Sequence, residues 1–148
     1  MLRLSKKLLF AIEAVVDIAY YSESEPVRST DICKRQGIPR RYLEQVLQQL
    51  VHHDILTGQR GPRGGYRLAR DGERIRLGDI IRIVRELEGT PDPIADPVGS
   101  ELGQRIVRPI WREMQNEMMS RFDAITVADL CRRASSDGLD ERQAAEAG

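Results

Sequence analysis

Between residues 58 and 70 the chain reads GQRGPRGGYRLAR. Gly58, Gly61, Gly64 and Gly65 surround Pro62, with Arg60, Arg63, Arg67 and Arg70 interleaved among them. Proline and clustered glycine stop a helix and call for a tight turn with dihedrals that other residues avoid. "ILTGQR" before this tip and "YRLAR" after it are short extended candidates, so residues 55–70 read as a β-hairpin.

The segments before it carry helical periodicity. Ser5 can cap a helix running to about Tyr21, with Leu9, Ile12, Val15, Val16 and Ala19 as its apolar stripe, before "SESEP" ends it. A two-turn helix fits "STDICKRQ", anchored by Ile32 and stopped by Gly37. After the turn at Ile38 and Pro39, "RRYLEQVLQQLVHHD" places Leu43, Val46, Leu47 and Leu50 on one face. Two helices joined by a tight glycine-containing turn spell helix-turn-helix, and a hairpin following that motif is a wing.

Beyond the hairpin, "LGDIIRIVREL" at residues 77–87 is amphipathic, with Ile80, Ile81 and Val84 inward. "EGTPDPIADPVGSELG" carries Pro91, Pro93 and Pro97 and is read as irregular. From about Glu101 to Asp123, Leu102, Ile106, Ile110, Met114, Met118 and Phe122 recur at every fourth position with Trp111 beside them, predicting one long helix that Pro109 kinks or begins. "TVADLCRRA" adds a short helix capped by Thr126, and residues 135–148 read as a disordered tail. The expected fold is mainly α with a small β-hairpin wing. Residues 1–88 form a winged helix-turn-helix, 89–100 a Pro/Gly-rich loop, and 101–134 a dimerisation helix followed by a short docking helix.

The 148 residues suffice for one folding unit, and 41% hydrophobic with 31% charged content suits a chain that completes its core by dimerising. The apolar run Leu8–Tyr21 is interrupted by Glu13 and Asp17, which excludes a membrane span, and the absence of a small-residue cleavage site predicts a cytoplasmic chain. Formal net charge is zero, yet residues 1–85 hold 16 Lys+Arg against 10 Asp+Glu, and residues 86–148 hold 7 against 13. A basic working face joined to an acidic remainder points to a polyanionic partner. The helix "RRYLEQVLQQL" offers Arg40, Arg41, Tyr42, Glu44, Gln45 and Gln48, types able to read base edges in a major groove, or simply to form a solvated face. Arg60 and Arg63, with Gly64 and Gly65, sit where a wing would enter a minor groove or straddle phosphates. A nucleotide-cradling loop is disfavoured because no GxxxxGK[ST] occurs.

Together, "RLSKKLLFAIEAVVDIA", "DICKRQGIPRRYLEQVLQQL" and "GQRGPRGGYRLARD…IRLGDIIRIV" resemble the Rrf-two family of winged-helix transcription regulators across roughly residues 1–130. The resemblance implies a homodimer on a near-palindromic operator in double-stranded DNA, recognition helix in the major groove and glycine-rich wing in the minor groove. It places Arg41, Tyr42, Glu44 and Gln45 on the recognition helix, Arg60 on the wing's groove-entering arginine, and Ser5 and Lys7 on a phosphate-contacting segment, although Leu8 and Leu9 stand where some members have Gly-Arg. A transcriptional regulator, most simply a repressor, is the expected function.

Cluster-binding members of that family hold iron and sulfur through three cysteines in the stretch matching residues 89–106, "GTPDPIADPVGSELGQRI", which here contains none. No cluster is therefore expected at the usual position. Cys33 and Cys131 read as small buried hydrophobes, with a redox role for Cys131 beside Arg132 and Arg133 as the alternative. Adjacent His52 and His53 point to different helix faces and do not suggest a metal site. Ile106, Ile110, Trp111, Met114, Met118 and Phe122 are the expected dimer interface, and a small effector of unknown identity between wing domain and dimer helix is a further use of that region. No catalytic constellation is assembled, so no enzyme is expected. The rival reading is a cluster-free regulator that docks on a protein partner such as a metabolic enzyme and binds DNA weakly.

Overall fold

A computed structural model of the chain describes residues 4–139. Six α-helices, α1 (Lys6–Tyr21), α2 (Ser29–Gln36), α3 (Arg40–His52), α4 (Leu77–Glu88), α5 (Arg108–Asp123) and α6 (Val127–Ser136), accompany one hairpin of β1 (Leu56–Gln59) and β2 (Gly65–Leu68). The strands pair antiparallel, Leu56 opposite Leu68 and Gln59 opposite Gly65. This is a winged helix-turn-helix with a long helix appended. No described helix is long and apolar enough to cross a membrane.

The core is organised around α1, which packs against α2, α3, α4, α6 and β2. Its buried stripe is Leu8, Ala11, Ala14, Val15 and Ile18, rotated from the one expected: Leu9 is exposed, and Ile12, Val16 and Ala19 are half-buried. A helix enclosed by neighbours on several sides buries a wider face than one apolar stripe defines, and small alanines let those neighbours approach. Ile32 of α2, Leu43, Val46, Leu47 and Leu50 of α3, and Ile80, Ile81 and Val84 of α4 complete the core as their periodicity predicts.

One charged side chain lies inside. Asp17 is buried on α1 and accepts a two-pronged hydrogen bond from Arg35, Nε to Oδ2 at 2.9 Å and Nη2 to Oδ1 at 2.8 Å. Gln36 donates to the same carboxylate at 2.8 Å, and the Arg35 guanidinium lies 4.1 Å from the Tyr21 ring centroid. Asp17 thereby fastens the end of α2 to the middle of α1.

The long helical run begins at Glu101, but Gly103–Val107 forms a π-helical turn and Pro109 falls in the first turn of α5. Proline has no N–H to donate and its ring crowds the carbonyl four residues back, so the wider turn accommodates it. The C-terminal end of α5 is held to α4, where Arg82 makes two bonds to Asp123 at 2.9 and 2.6 Å. A Cβ on Gly78 would stand 1.7 Å from the Asp123 carboxylate, so glycine is what lets α5 come this close. α6 continues to Ser136, past the expected start of the tail, whereas residues 140–148 lie outside the described residues.

Asp17→Ala is expected to lower unfolding free energy by about 3 kcal/mol, because it strands Arg35 and Gln36 without their acceptor. Urea denaturation measures it, and a loss under about 1 kcal/mol would contradict the clamp. A pH effect follows from α4 and α5. Hydrogen bonding from Arg82 holds the Asp123 carboxyl below its ordinary 3.8; burial works against Asp79, but bonds from Arg76 outweigh it and also lower that group. Folded-state values below unfolded ones mean stability fully present above pH 3.8 and lost as pH falls through the depressed values. Melting temperature should drop more steeply with acid in the wild type than in Arg82→Ala.

Candidate nucleic-acid interface

α3 turns Leu43, Val46, Leu47 and Leu50 inward and thereby presents Arg40, Arg41, Tyr42, Glu44, Gln45 and Gln48 to solvent on the opposite side. Its N-cap is Pro39, which supplies no side-chain acceptor, so the first amides of α3 are left for a partner from outside. Arg40 and Glu44 neutralise each other one turn apart at 3.0 Å. Arg41 makes no ion pair or hydrogen bond among the described residues, and the Tyr42 ring leans toward Phe10, centroids 6.4 Å apart.

The four arginines of the hairpin divide into two kinds. Arg67 donates to the carbonyls of Ser22 at 3.1 Å and Ser24 at 2.9 Å, and Arg70 to the carbonyl of Arg74 at 3.2 Å. These two pin the hairpin to the body. Arg60 and Arg63, at the tip, are exposed and unpaired among the described residues. Arg28, preceding α2, donates to the carbonyl of Pro62 and fixes the tip from behind.

The glycines of the tip serve internal packing more than approach to an outside surface. Tyr66 N–H donates to the Val27 carbonyl at 2.7 Å and Val27 N–H to the Tyr66 carbonyl at 2.9 Å, so residue 27 adds a third rung to the sheet. A Cβ on Gly65 would meet that Val27 oxygen at 2.6 Å, and one on Gly64 the Gln59 oxygen at 2.4 Å. Gly61, at φ +105°, supplies the left-handed turn itself. The expectation that Gly64 and Gly65 exist for close approach to a groove therefore has a sufficient alternative in the protein's own backbone.

Gln48, Arg60, Gly64 and Gly65 share one cleft of about 640 Å³ between wing and helix-turn-helix. The cleft also gathers Arg28, Ser29 and Thr30, which the sequence reading passed over; a basic residue followed by two hydroxyls at the start of a helix was the signal available. Ser5 and Lys7 lie elsewhere, on a second cleft of about 740 Å³ with Lys6, Arg85 and Glu88. The Ser5 hydroxyl accepts from Leu8 N–H at 3.1 Å, capping α1, and donates to Glu88, so it is fully engaged inside the protein.

Along the helical run 101–123 an apolar row faces solvent: Leu102, Ile106 (58% exposed), Ile110, Trp111 (53%), Met114 (51%) and Met118. Phe122 departs from the row, packing instead with Met119 against the chain's own core, because α5 settles onto α4 at this end. Among the described residues no three His, Cys, Asp or Glu side chains come together to hold a metal. Cys131 is half-buried in α6; burial pushes its thiol up, opposed only in part by Arg132, which removes the physical basis for an activated thiolate. Cys33 packs against the core from α2, and the rings of His52 and His53 stand edge to face, 5.3 Å apart.

A family model described as Rrf2, iron-dependent transcriptional regulator, matches residues 4–133. The HTH-type transcriptional regulator IscR of Cronobacter sakazakii is 32% identical over 146 residues, 99% of this chain and 90% of that relative. Among solved structures, T. potens IscR superposes with a TM-score of 0.73 at 29% identity, over 90% of this chain and 88% of that one. CymR, the global cysteine regulator of B. subtilis, gives 0.73 at 26% identity, over 90% of this chain and 98% of that one.

Gly65→Ala is expected to destabilise by about 2 kcal/mol, since a backbone carbonyl has to move. Gly61→Ala, strained in its dihedral but facing open space, should cost about 1 kcal/mol. Chemical unfolding of the two variants measures the difference, and a larger loss in Gly61→Ala would contradict the role given to the Val27 rung.

Proposed function

Because the chain belongs to the Rrf2 family of DNA-binding transcription regulators, which are not enzymes, we propose that it acts in the cytoplasm as a homodimeric, sequence-specific repressor on a near-palindromic operator. The observation that carries this reading is two unneutralised features on elements joined by the cleft that Gln48 of α3 shares with Arg60 of the wing. They are the open N-terminal turn of α3 with Arg41, and the wing tip with Arg60 and Arg63.

In this reading Arg41, Tyr42, Glu44, Gln45 and Gln48 face base edges in the major groove. Arginine pairs two-pronged with guanine and glutamine with adenine. Arg40 contacts phosphate once its pairing with Glu44 is released. Arg60 enters the minor groove beside Gly64 and Gly65, Arg63 straddles phosphates, and Lys7 adds a contact from α1. Ser5 supports that segment by holding the start of α1. Two copies join through Ile106, Ile110, Trp111, Met114 and Met118, with Phe122 securing each helix to its own core. This sets the recognition helices about one DNA turn apart, roughly 34 Å.

The iron in the family's description does not fit this chain at the family's usual position. Between residues 89 and 106 there is no thiolate, and three of the polar side chains present close local turns: Asp92 accepts from Ile94 N–H, Asp96 from Val98 N–H and Ser100 from Gly103 N–H. Cys33 on α2 and Cys131 on α6 both stand outside that stretch, on different helices. The regulator is proposed to work without a cluster there.

Capture of genomic fragments at physiological salt, with an Arg41→Ala, Arg60→Ala double variant beside it, tests the reading; one two-fold motif lost in the variant is the expected result. Arg41→Ala should cost about 1–3 kcal/mol on the operator and relax the base preference it contacts. Arg63→Ala should weaken every sequence alike and reduce the salt slope by about one. Binding isotherms on operator and random DNA across a salt series decide it, and identical behaviour of the two variants would count against this division of labour.

A further inference from the structure

Helix 101–123 is supported by the body of the protein only toward its C-terminal end, where Met119 and Phe122 reach the core and Asp123 meets Arg82. Its first half projects, with Leu102, Ile106, Val107, Ile110 and Trp111 all exposed. The side chains of Arg108 and Gln104 in this half reach the loop that precedes it. Arg108 donates through Nη1 to the Asp96 carbonyl and through Nη2 to the Val98 carbonyl at 2.7 Å. Gln104 donates to the same two carbonyls, at 3.1 and 3.4 Å.

The surrounding sequence is fitted to this arrangement. The π-helical turn Gly103–Val107 separates Gln104 and Arg108 so that both reach the loop. Gly99, at φ +146°, holds a backbone conformation that side-chain-bearing residues rarely adopt, and a Cβ there would stand 2.8 Å from the Arg108 guanidinium nitrogen and press its flexible end aside. Val98 N–H to the Asp96 carboxylate at 2.9 Å closes the turn that presents the two carbonyls, and Ile94 is buried beneath.

We propose that Arg108, assisted by Gln104, is a positioning residue for operator recognition. It latches the connecting loop to the projecting half of the dimer helix, so that the separation of the two recognition helices is fixed by the protein's own hydrogen bonds. A guanidinium with parallel N–H groups is suited to bridging two carbonyls, and a single-point donor is not. Charge-assisted bonds of this kind favour one shape of the loop in the free protein, so no ligand at the joint is required for the reading geometry. The proposal rests on the dimeric DNA-binding reading above.

Two variants approach the latch from opposite sides, Arg108→Ala by removing the donor and Gly99→Ala by obstructing it. Neither touches the core. Hydrogen exchange in full-length protein without DNA should rise about tenfold at the Val98, Gly99 and Ser100 amides in both, with the α3 amides unchanged. Binding to an operator with two half-sites should weaken about tenfold, while binding to an isolated half-site stays at wild-type level, since only the spacing is disturbed. Wild-type operator affinity should be unmoved by EDTA. Unchanged loop exchange in Arg108→Ala overturns the latch, as does equal loss on operator and half-site, or wild-type binding abolished by the chelator. Failure of the wild type to select any operator would instead overturn the DNA-reading function, and loop exchange would still decide the latch.

Discussion

A carboxylate removed from water needs all its lone pairs answered, and Asp17 is answered by residues 18 and 19 positions downstream, on another helix. That requirement ties α2 to α1 at one angle. Because α3 follows α2 through only the Gly37–Pro39 turn, the attitude of α3 is inherited from the same bond. A hydrocarbon pair at this position could have been as stabilising, but it would slide; the two-pronged guanidinium contact, roofed by Tyr21, allows one geometry. The exposed face of α3 is therefore aimed by a group on its hidden side.

A second set of ionic contacts governs the other end of the molecule. Gly78, Arg82 and Asp123 bring α5 hard against α4, and the bridge between Arg76 and Thr126 closes the corner into α6. With its end seated in this way, the helix is a lever whose apolar row is held away from the reading domain. In the proposed dimer, the contacts of Arg108 act on a long arm, where a small change of angle is magnified in the placement of the second copy.

Much of this was legible in the chain alone. The stripe Leu43, Val46, Leu47, Leu50 has no reading other than a helix buried on that face, and the glycines around Pro62 permit nothing but a turn. Exposure of Arg41, Gln45 and Gln48 followed automatically from that stripe. Less visible were features whose partners are distant in sequence. Asp17 looked like an interruption of an apolar run, when it was the polar half of a contact with α2. Gly64 and Gly65 looked like surface devices, when Val27 and Gln59 carbonyls occupy the space their side chains would need. Ser5 looked free to meet DNA until Glu88 arrived beside it, and Phe122 kept the period of its row while turning inward. Periodicity states which face is covered and is silent on what covers it.

The bridge between Val27 and Tyr66, with Arg67 and Arg28 bonded to carbonyls on either side, ties the hairpin to the body at three points. A rigid probe of set width works as a gauge: the DNA must conform to it, and duplexes differ in what that conformity costs. Stiff, narrow-grooved A-tracts and pliable pyrimidine–purine steps would be told apart at positions where no side chain touches a base. In the proposed complex, part of the choice among sequences falls to the mechanics of the double helix.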